Sequence, residues 1–165
     1  MRSGQVRTVP GWGLVLLGVL ALALVSVASW AWARPDPVAA EASGVAAQQA
    51  AERAAVAVLA YDYRTLDQSE REAQSHLSAR YRADEFAPLW ATVKQNAPTS
   101  KTVITAEVVA SGVVRATPDR VQVLVLVDRP TTNADHVSPV IYRDHVTLTM
   151  VESAGQWLVD GLATR

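Results

Sequence analysis

Val121-Gln122-Val123-Leu124-Val125-Leu126-Val127 is the stretch on which the fold turns. It is nearly apolar on both faces and dominated by a β-branched residue that packs well on a pleated surface. A short run of this kind reads as a strand inside a sheet, covered on both sides, rather than as a surface strand. Downstream, Arg143 to Glu152 alternates Val146, Leu148 and Met150 against His145, Thr147 and Thr149. Ser153-Ala154-Gly155 then makes a tight turn into Gln156–Leu162, which predicts a terminal hairpin. Upstream, Lys101 to Val114 alternates Ile104, Ala106, Val108 and Ala110 against Thr105, Glu107 and Ser111, with Gly112 marking a bulge or bend. Arg129 to Pro139, with Pro130, Asn133, Asp135 and Pro139, is read as the one long polar loop and the most mobile tip.

Before Thr99 the period is helical. From Val38 to about Leu66, Ala47, Ala51, Ala54, Ala55, Val58, Leu59 and Tyr61 recur on one face while Gln48, Gln49, Glu52 and Arg53 fill the other. Alanines on the buried stripe let such a helix lie close to a sheet, and Gly44 is a point where it could divide. Asp67 and Glu70 form a candidate capping pair for a short helix to about Ser78. A further helix is expected from Arg82 or Ala83 to Gln95, with Phe86, Leu89, Trp90 and Val93 as its apolar stripe, Pro88 in its first turn and Asn96-Ala97-Pro98 ending it. Helices followed by antiparallel strands define an α+β domain, with the helices gathered on one face of a sheet of about four strands.

Gly11 to Ala33 contains no charged side chain and is long enough to span a bilayer as a helix. Arg2 and Arg7 precede it, which places residues 1–10 in the cytoplasm and the remainder outside. Trp12, Trp30 and Trp32 stand at its two ends, where indole rings favour the membrane interface. Ala31-Trp32-Ala33 fits a cleavage pattern, but the apolar run exceeds the usual signal-peptide length of about 7 to 15 residues, so an uncleaved anchor is expected. The organisation read from the sequence is therefore a tail 1–10, an anchor 11–33, a linker and stalk helix 34–50 and an extracytoplasmic domain 51–165. With no cysteine, the chain has no thiol chemistry, disulfide or cysteine lipidation. Beyond the anchor lie 13 of its 15 basic and all 16 of its acidic side chains, without long runs of one sign, which points away from nucleic acid.

The anchor, Leu59-Ala60-Tyr61-Asp62-Tyr63-Arg64-Thr65-Leu66, Ala110-Ser111-Gly112-Val113-Val114, the Val121–Val127 run, Val146-Thr147-Leu148-Thr149-Met150 and Trp157-Leu158-Val159-Asp160, in that order, resemble the Mce-associated membrane proteins of actinobacteria. The resemblance covers nearly the whole chain. It implies a cone-shaped domain like that of nuclear transport factor two and ketosteroid isomerase. It also implies a non-enzymatic accessory role in Mce complexes, which move lipids or sterols across the cell envelope, with their subunits and the membrane as partners and a lipid or sterol as a possible ligand. Two positions depart from the family's pattern: Asp128-Arg129-Pro130 after the central strand, and Gly161 after Asp160.

An enzyme of this shape needs a carboxylate base in an apolar pocket and a donor for developing charge. By parity the candidates are Tyr142 and Asp144, on the face of Val146 and Leu148, together with Tyr63. Tyr61 and Tyr63 flank Asp62 and, two apart on a helix, point to different sides. Trp90 and Trp157 read as core fillers or, alternatively, as ligand platforms. His145 falls on the face of Thr147 and Thr149, and with His76 and His136 it forms no ligand spacing, so no metal and no cofactor is expected. The two functions left are an envelope assembly partner and a domain binding or isomerising a lipid or steroid. An apolar cavity above about 300 Å³ with a buried acid favours the second.

Overall fold

The computed structural model of the protein describes residues 37–164; the anchor and tail expected over residues 1–33 lie outside them. Among the described residues no helix is long and apolar enough to cross a membrane. Residues 37–164 form an antiparallel, curled sheet with helices packed on one face. In chain order the elements are α1 (Pro37–Leu59), β1 (Tyr61–Asp62), α2 (Leu66–Ser75), α3 (Ala79–Tyr81), a π-helical turn (Arg82–Phe86), α4 (Ala87–Ser100), β2 (Val103–Ile104), β3 (Glu107–Ala116), β4 (Arg120–Thr132), β5 (Val140–Ser153) and β6 (Gln156–Thr164). The sheet order is β1-β2-β4-β5-β6, with β3 also paired to β4. The four long strands β3 to β6 are those the sequence predicts, and two two-residue strands extend the sheet at one corner.

The central strand is β4. Val121, Val123, Val125 and Val127 point into the core with no exposed surface, beside Val146, Leu148 and Met150 of β5, and Val159 of β6, paired with Met150, is as fully buried. Ala47, Ala51, Ala54 and Ala55 of α1 close over them, equally buried. The helix already rests on the sheet at Gly44, where an added Cβ would lie 3.7 Å from Ala116 and from Val113. Gly44 therefore does not divide α1, and the packed domain begins before residue 51 rather than after a separate stalk. The reason is steric: with only hydrogen or methyl on this face, the helix axis can approach a valine-covered sheet closely enough to exclude water along its length.

The chain leaves helical geometry at Leu59, about seven residues before the end near Leu66 that the periodicity suggests. Tyr61 and Asp62 pair with Ile104 and Val103 as strand β1, and Tyr63 N–H donates to the Thr102 carbonyl at 3.1 Å. Asp67 and Glu70 do not cap α2; its N-cap is Thr65, whose carbonyl accepts from Gln68 and Ser69, while Glu70 reaches Lys94 and Gln74. Ser78 is instead the N-cap of α3, its hydroxyl accepting from Tyr81 N–H. The π turn donates from Ala87 N–H to the Arg82 carbonyl, five residues back. This inserted residue keeps Tyr81, Phe86 and Trp90 on one buried face despite the five-residue first interval, and turns Leu89, 62% exposed, outward. Pro98 does not end α4. Only two residues follow it, Ser100 Oγ donates to the Asn96 carbonyl, and Lys101 closes the helix in the left-handed region at φ 52°.

The 101–114 strand is split: β2 and β3 follow one course along β4, interrupted at Thr105-Ala106. Its bulges fall at Val109 and Val114, not at Gly112, which pairs regularly with Leu124. Arg129 to Thr132 belong to β4, so the connection to β5 is shorter than expected. Pro130 fits because its carbonyl accepts from Thr105 N–H, placing its missing donor against the gap between β2 and β3.

Val125→Asp places an unpaired charge among side chains with no exposure and is expected to cost several kcal/mol, read as loss of the cooperative melting transition. Gly44→Ala moves the other way. Its methyl meets only ordinary van der Waals neighbours, so it is expected to stabilise by about 0.5–1 kcal/mol, read as a higher Tm.

Candidate functional site

Beyond Val127 the core-facing row of β4 continues into Arg129, and beyond Val146 that of β5 continues into Asp144 and Tyr142. In the β4–β5 register Asp144 lies opposite Val127 and Tyr142 opposite Arg129, so Arg129 and Asp144 are diagonal neighbours on one face. Arg129 Nε donates to Asp144 Oδ2 in a half-buried ion pair. On the other face Arg143 holds Asp128 through two hydrogen bonds of 2.7 and 3.0 Å and keeps its carboxyl below the usual range. β1 brings Tyr61 to the same end of the domain. Burial pushes its hydroxyl pKa up, while a hydrogen bond with Thr102 and the nearby Arg129 charge pull it down. The Tyr61 ring meets Trp90 edge-on at 5.9 Å, and Trp90 stacks on Phe86 at 5.2 Å.

Three of the six sequence candidates, Tyr61, Tyr142 and Asp144, thus gather near Arg129, and Trp90 joins them only through the Tyr61 ring. Tyr63 lies outside the group: its ring carries the Arg64 guanidinium at 5.8 Å, and Arg64 in turn clamps Asp62, whose carboxyl it holds below the usual range. Trp157 sits on β6 beside the β5–β6 turn, packed against the core from its rim. Trp90 is a core residue, 2% exposed, with no acceptor for its Nε1 among the described residues. Tyr142 is 52% exposed, so it is no buried donor. A base paired to arginine and a donor in solvent do not make the acid–base site the parity argument allowed. Among the described residues no group of three or more His, Cys, Asp or Glu is placed to hold a metal ion.

A second charged centre escaped the sequence reading. Asp160 occupies the bulge between the Thr149–Gly161 and Met150–Val159 pairs. Its Oδ1 accepts from Ser78 Oγ at 2.8 Å and Arg80 Nε at 3.1 Å, and its Oδ2 from Arg120 at 3.1 Å. Burial raises its pKa, but the hydrogen bonds from Arg80 and Ser78 and the arginine charges outweigh this, so the net shift is downward. Ser78 N–H donates to the Val159 carbonyl and Val159 N–H to that of His76, each at 2.8 Å. Asp160 therefore fastens the start of α3 to β6. The available signal was Ser78 itself, a cap residue three before the buried Tyr81.

The concave interior is filled. No polar or charged side chain is buried among the described residues, and the two hollows described next are surface grooves. One, of about 450 Å³, runs between α1, α2 and β2 past Val56, Tyr61 and Ile104; its acids are Asp62, already paired, and Glu72, exposed. Another, of about 410 Å³, lies between α1, the end of α2 and the β5–β6 turn.

A curled antiparallel sheet with helices on one face is also the fold of two proteins of known structure. The chain superimposes on an IcmL-like type IV secretion system protein from Legionella pneumophila with a TM-score of 0.55 and 18% identity, over 79% of this chain and 93% of the other. It superimposes on the periplasmic domain of DotI with a TM-score of 0.54 and 14% identity, over 72% and 91%. At these identities the likeness is one of fold. In sequence it is similar to the uncharacterized proteins Rv1362c and MT1407 of Mycobacterium tuberculosis, 32% identical over 148 residues, or 86% of this chain. The chain spans 66% of the length of these relatives. No protein-family model matches it.

Asp160→Asn is expected to destabilise the domain by about 1–3 kcal/mol, since it weakens the acceptor shared by Ser78, Arg80 and Arg120. Because the folded pKa lies below the unfolded one, the stabilisation is full above about pH 4 and is lost as pH falls through the folded value. Tm measured against pH for the two proteins should therefore differ at neutrality and converge in acid.

Proposed function

We propose that the chain is a membrane-anchored, non-enzymatic accessory or assembly factor of an Mce-type envelope complex that transports lipids or sterols. In this reading residues 1–10 are cytoplasmic, residues 11–33 cross the inner membrane and the α+β domain is extracytoplasmic. The observation that carries it is the filled concave face: Val121, Val123, Val125, Val127, Leu148 and Met150 occupy the space where a substrate would sit, and no acid is buried beside them. The apolar run behind Arg2 and Arg7 supports the topology, and the fold shared with the periplasmic domain of DotI supports an extracytoplasmic domain. Sequence resemblance to Mce-associated proteins supplies the transport context. A lipid-binding or isomerase-like domain is the alternative, and the ion-paired Asp144 argues against it.

The test is lipid uptake in the native host. Asp144→Asn and Tyr142→Phe are expected to leave uptake unchanged, whereas replacing residues 11–33 by a cleaved export signal should impair it at equal protein level. Loss of uptake in either point variant, with folding intact by circular dichroism, would transfer the function to the concave face.

A further inference from the structure

The groove of about 410 Å³ differs in charge from three other surface grooves among the described residues. Each of those carries a carboxylate: Asp62 and Glu72 in the first, Glu41 in the groove between α1 and β3, Asp67 in the groove beside Lys94. This one carries none, and is lined instead by Arg53, His76, Gln49 and Gln156, with Trp157 in its wall. In a chain of net charge −1, a groove holding a cation and no acid is a local inversion of the protein's balance.

Local structure explains how it is built. Ala46, Gln49, Ala50 and Arg53 fall at helical spacings of three and four, so they share one face of α1. The two alanines leave space and the two longer side chains border it. The opposite wall is the β5–β6 turn, where Gly155 at φ 80° lets the strand reverse tightly and present Gln156 and Trp157. The end of α2 would ordinarily offer bare carbonyls that repel an anion, but those of Ala73, Gln74 and His76 already accept from His76, Leu77 and Val159. The side chains of Arg53, Gln49 and Gln156 make no hydrogen bond or ion pair with the described residues. His76 has one distant carboxylate neighbour, Glu72, 3.7 Å from Nε2.

We propose that this groove binds a phosphate group. A guanidinium, two amides and an imidazole supply more donors than the two oxygens of a carboxylate require, and they suit the three outer oxygens of a phosphate monoester. Trp157 and the alanines add an apolar wall for whatever carries the phosphate. The group can arrive as free phosphate or as the headgroup of an anionic lipid. The site is distinct from the concave face and does not depend on the transport reading.

The experiment uses the full chain in phosphatidylcholine nanodiscs, labelled with ¹⁵N at tryptophan. Dihexanoyl phosphatidate, inorganic phosphate and dihexanoylglycerol are titrated separately while the Trp157 indole resonance is followed. A saturable shift with either phosphate probe and none with dihexanoylglycerol is expected. Arg53→Gln should weaken it by about tenfold or more, while Arg82→Gln, the same charge change on an exposed residue away from the groove, should not. Tighter binding of the phosphatidate assigns a lipid headgroup; equal binding assigns free phosphate. Absence of a saturable shift with both, an equal response to dihexanoylglycerol, unchanged affinity in Arg53→Gln, or an equal loss in Arg82→Gln would overturn the proposal.

Discussion

The contact between the alanine face of α1 and the valine row of β4 sets the shape of everything else. Burying one valine is worth about 1.5–3 kcal/mol, and a continuous row of four on the middle strand makes that strand the centre of the core. Alanines opposite them gain little area individually, but they bring the helix backbone close. Larger residues there would lift α1 and open the space a ligand pocket needs. The small side chains thus account both for a stable single-layer sheet and for a concave face with no cavity inside it.

Charge is confined to the ends of this core. Arg129 and Asp144 close the row at one end, and Asp160 with Arg80 and Arg120 ties the helices to β6. Each carboxylate has arginine partners, so its lone pairs are engaged in holding strands and helices together rather than in proton transfer. Half-exposed pairs contribute modestly to stability. Their larger effect is to fix where β4, β5 and the start of α3 lie.

How far the sequence could be read follows from the range of the forces involved. The period-two valines of β4 and the alternation of β5 and β6 were legible because burial acts on every second residue in place. Placing Asp144 with Val146 succeeded for the same reason. Its partner was missed because Pro130 reads as a strand breaker, and only the gap between β2 and β3, set by a distant segment, makes that proline acceptable. Tyr61-Asp62 looked like the end of a helix because a two-residue strand exists only through its pairing with Val103 and Ile104. The extra residue at Arg82–Phe86 likewise has no local signature; it appears where Tyr81 and Trp90 must both reach the core. Asp160 was invisible because its partners lie about 40 and 80 residues away.

The β3 edge of the sheet bears on how this domain can meet other proteins. β3 has a neighbour on one side only, a position that normally invites strand addition. Here bulges at Val109 and Val114 break the regular repeat of edge donors and acceptors. Gln48 Nε2 meets the Ser111 carbonyl at 3.4 Å and its hydroxyl at 2.7 Å, and that hydroxyl donates to Glu52 at 2.6 Å. The helix thereby occupies the edge that an intruding backbone would use. Strand addition is disfavoured at this edge, so contacts made there rest on side chains, which discriminate by shape and charge.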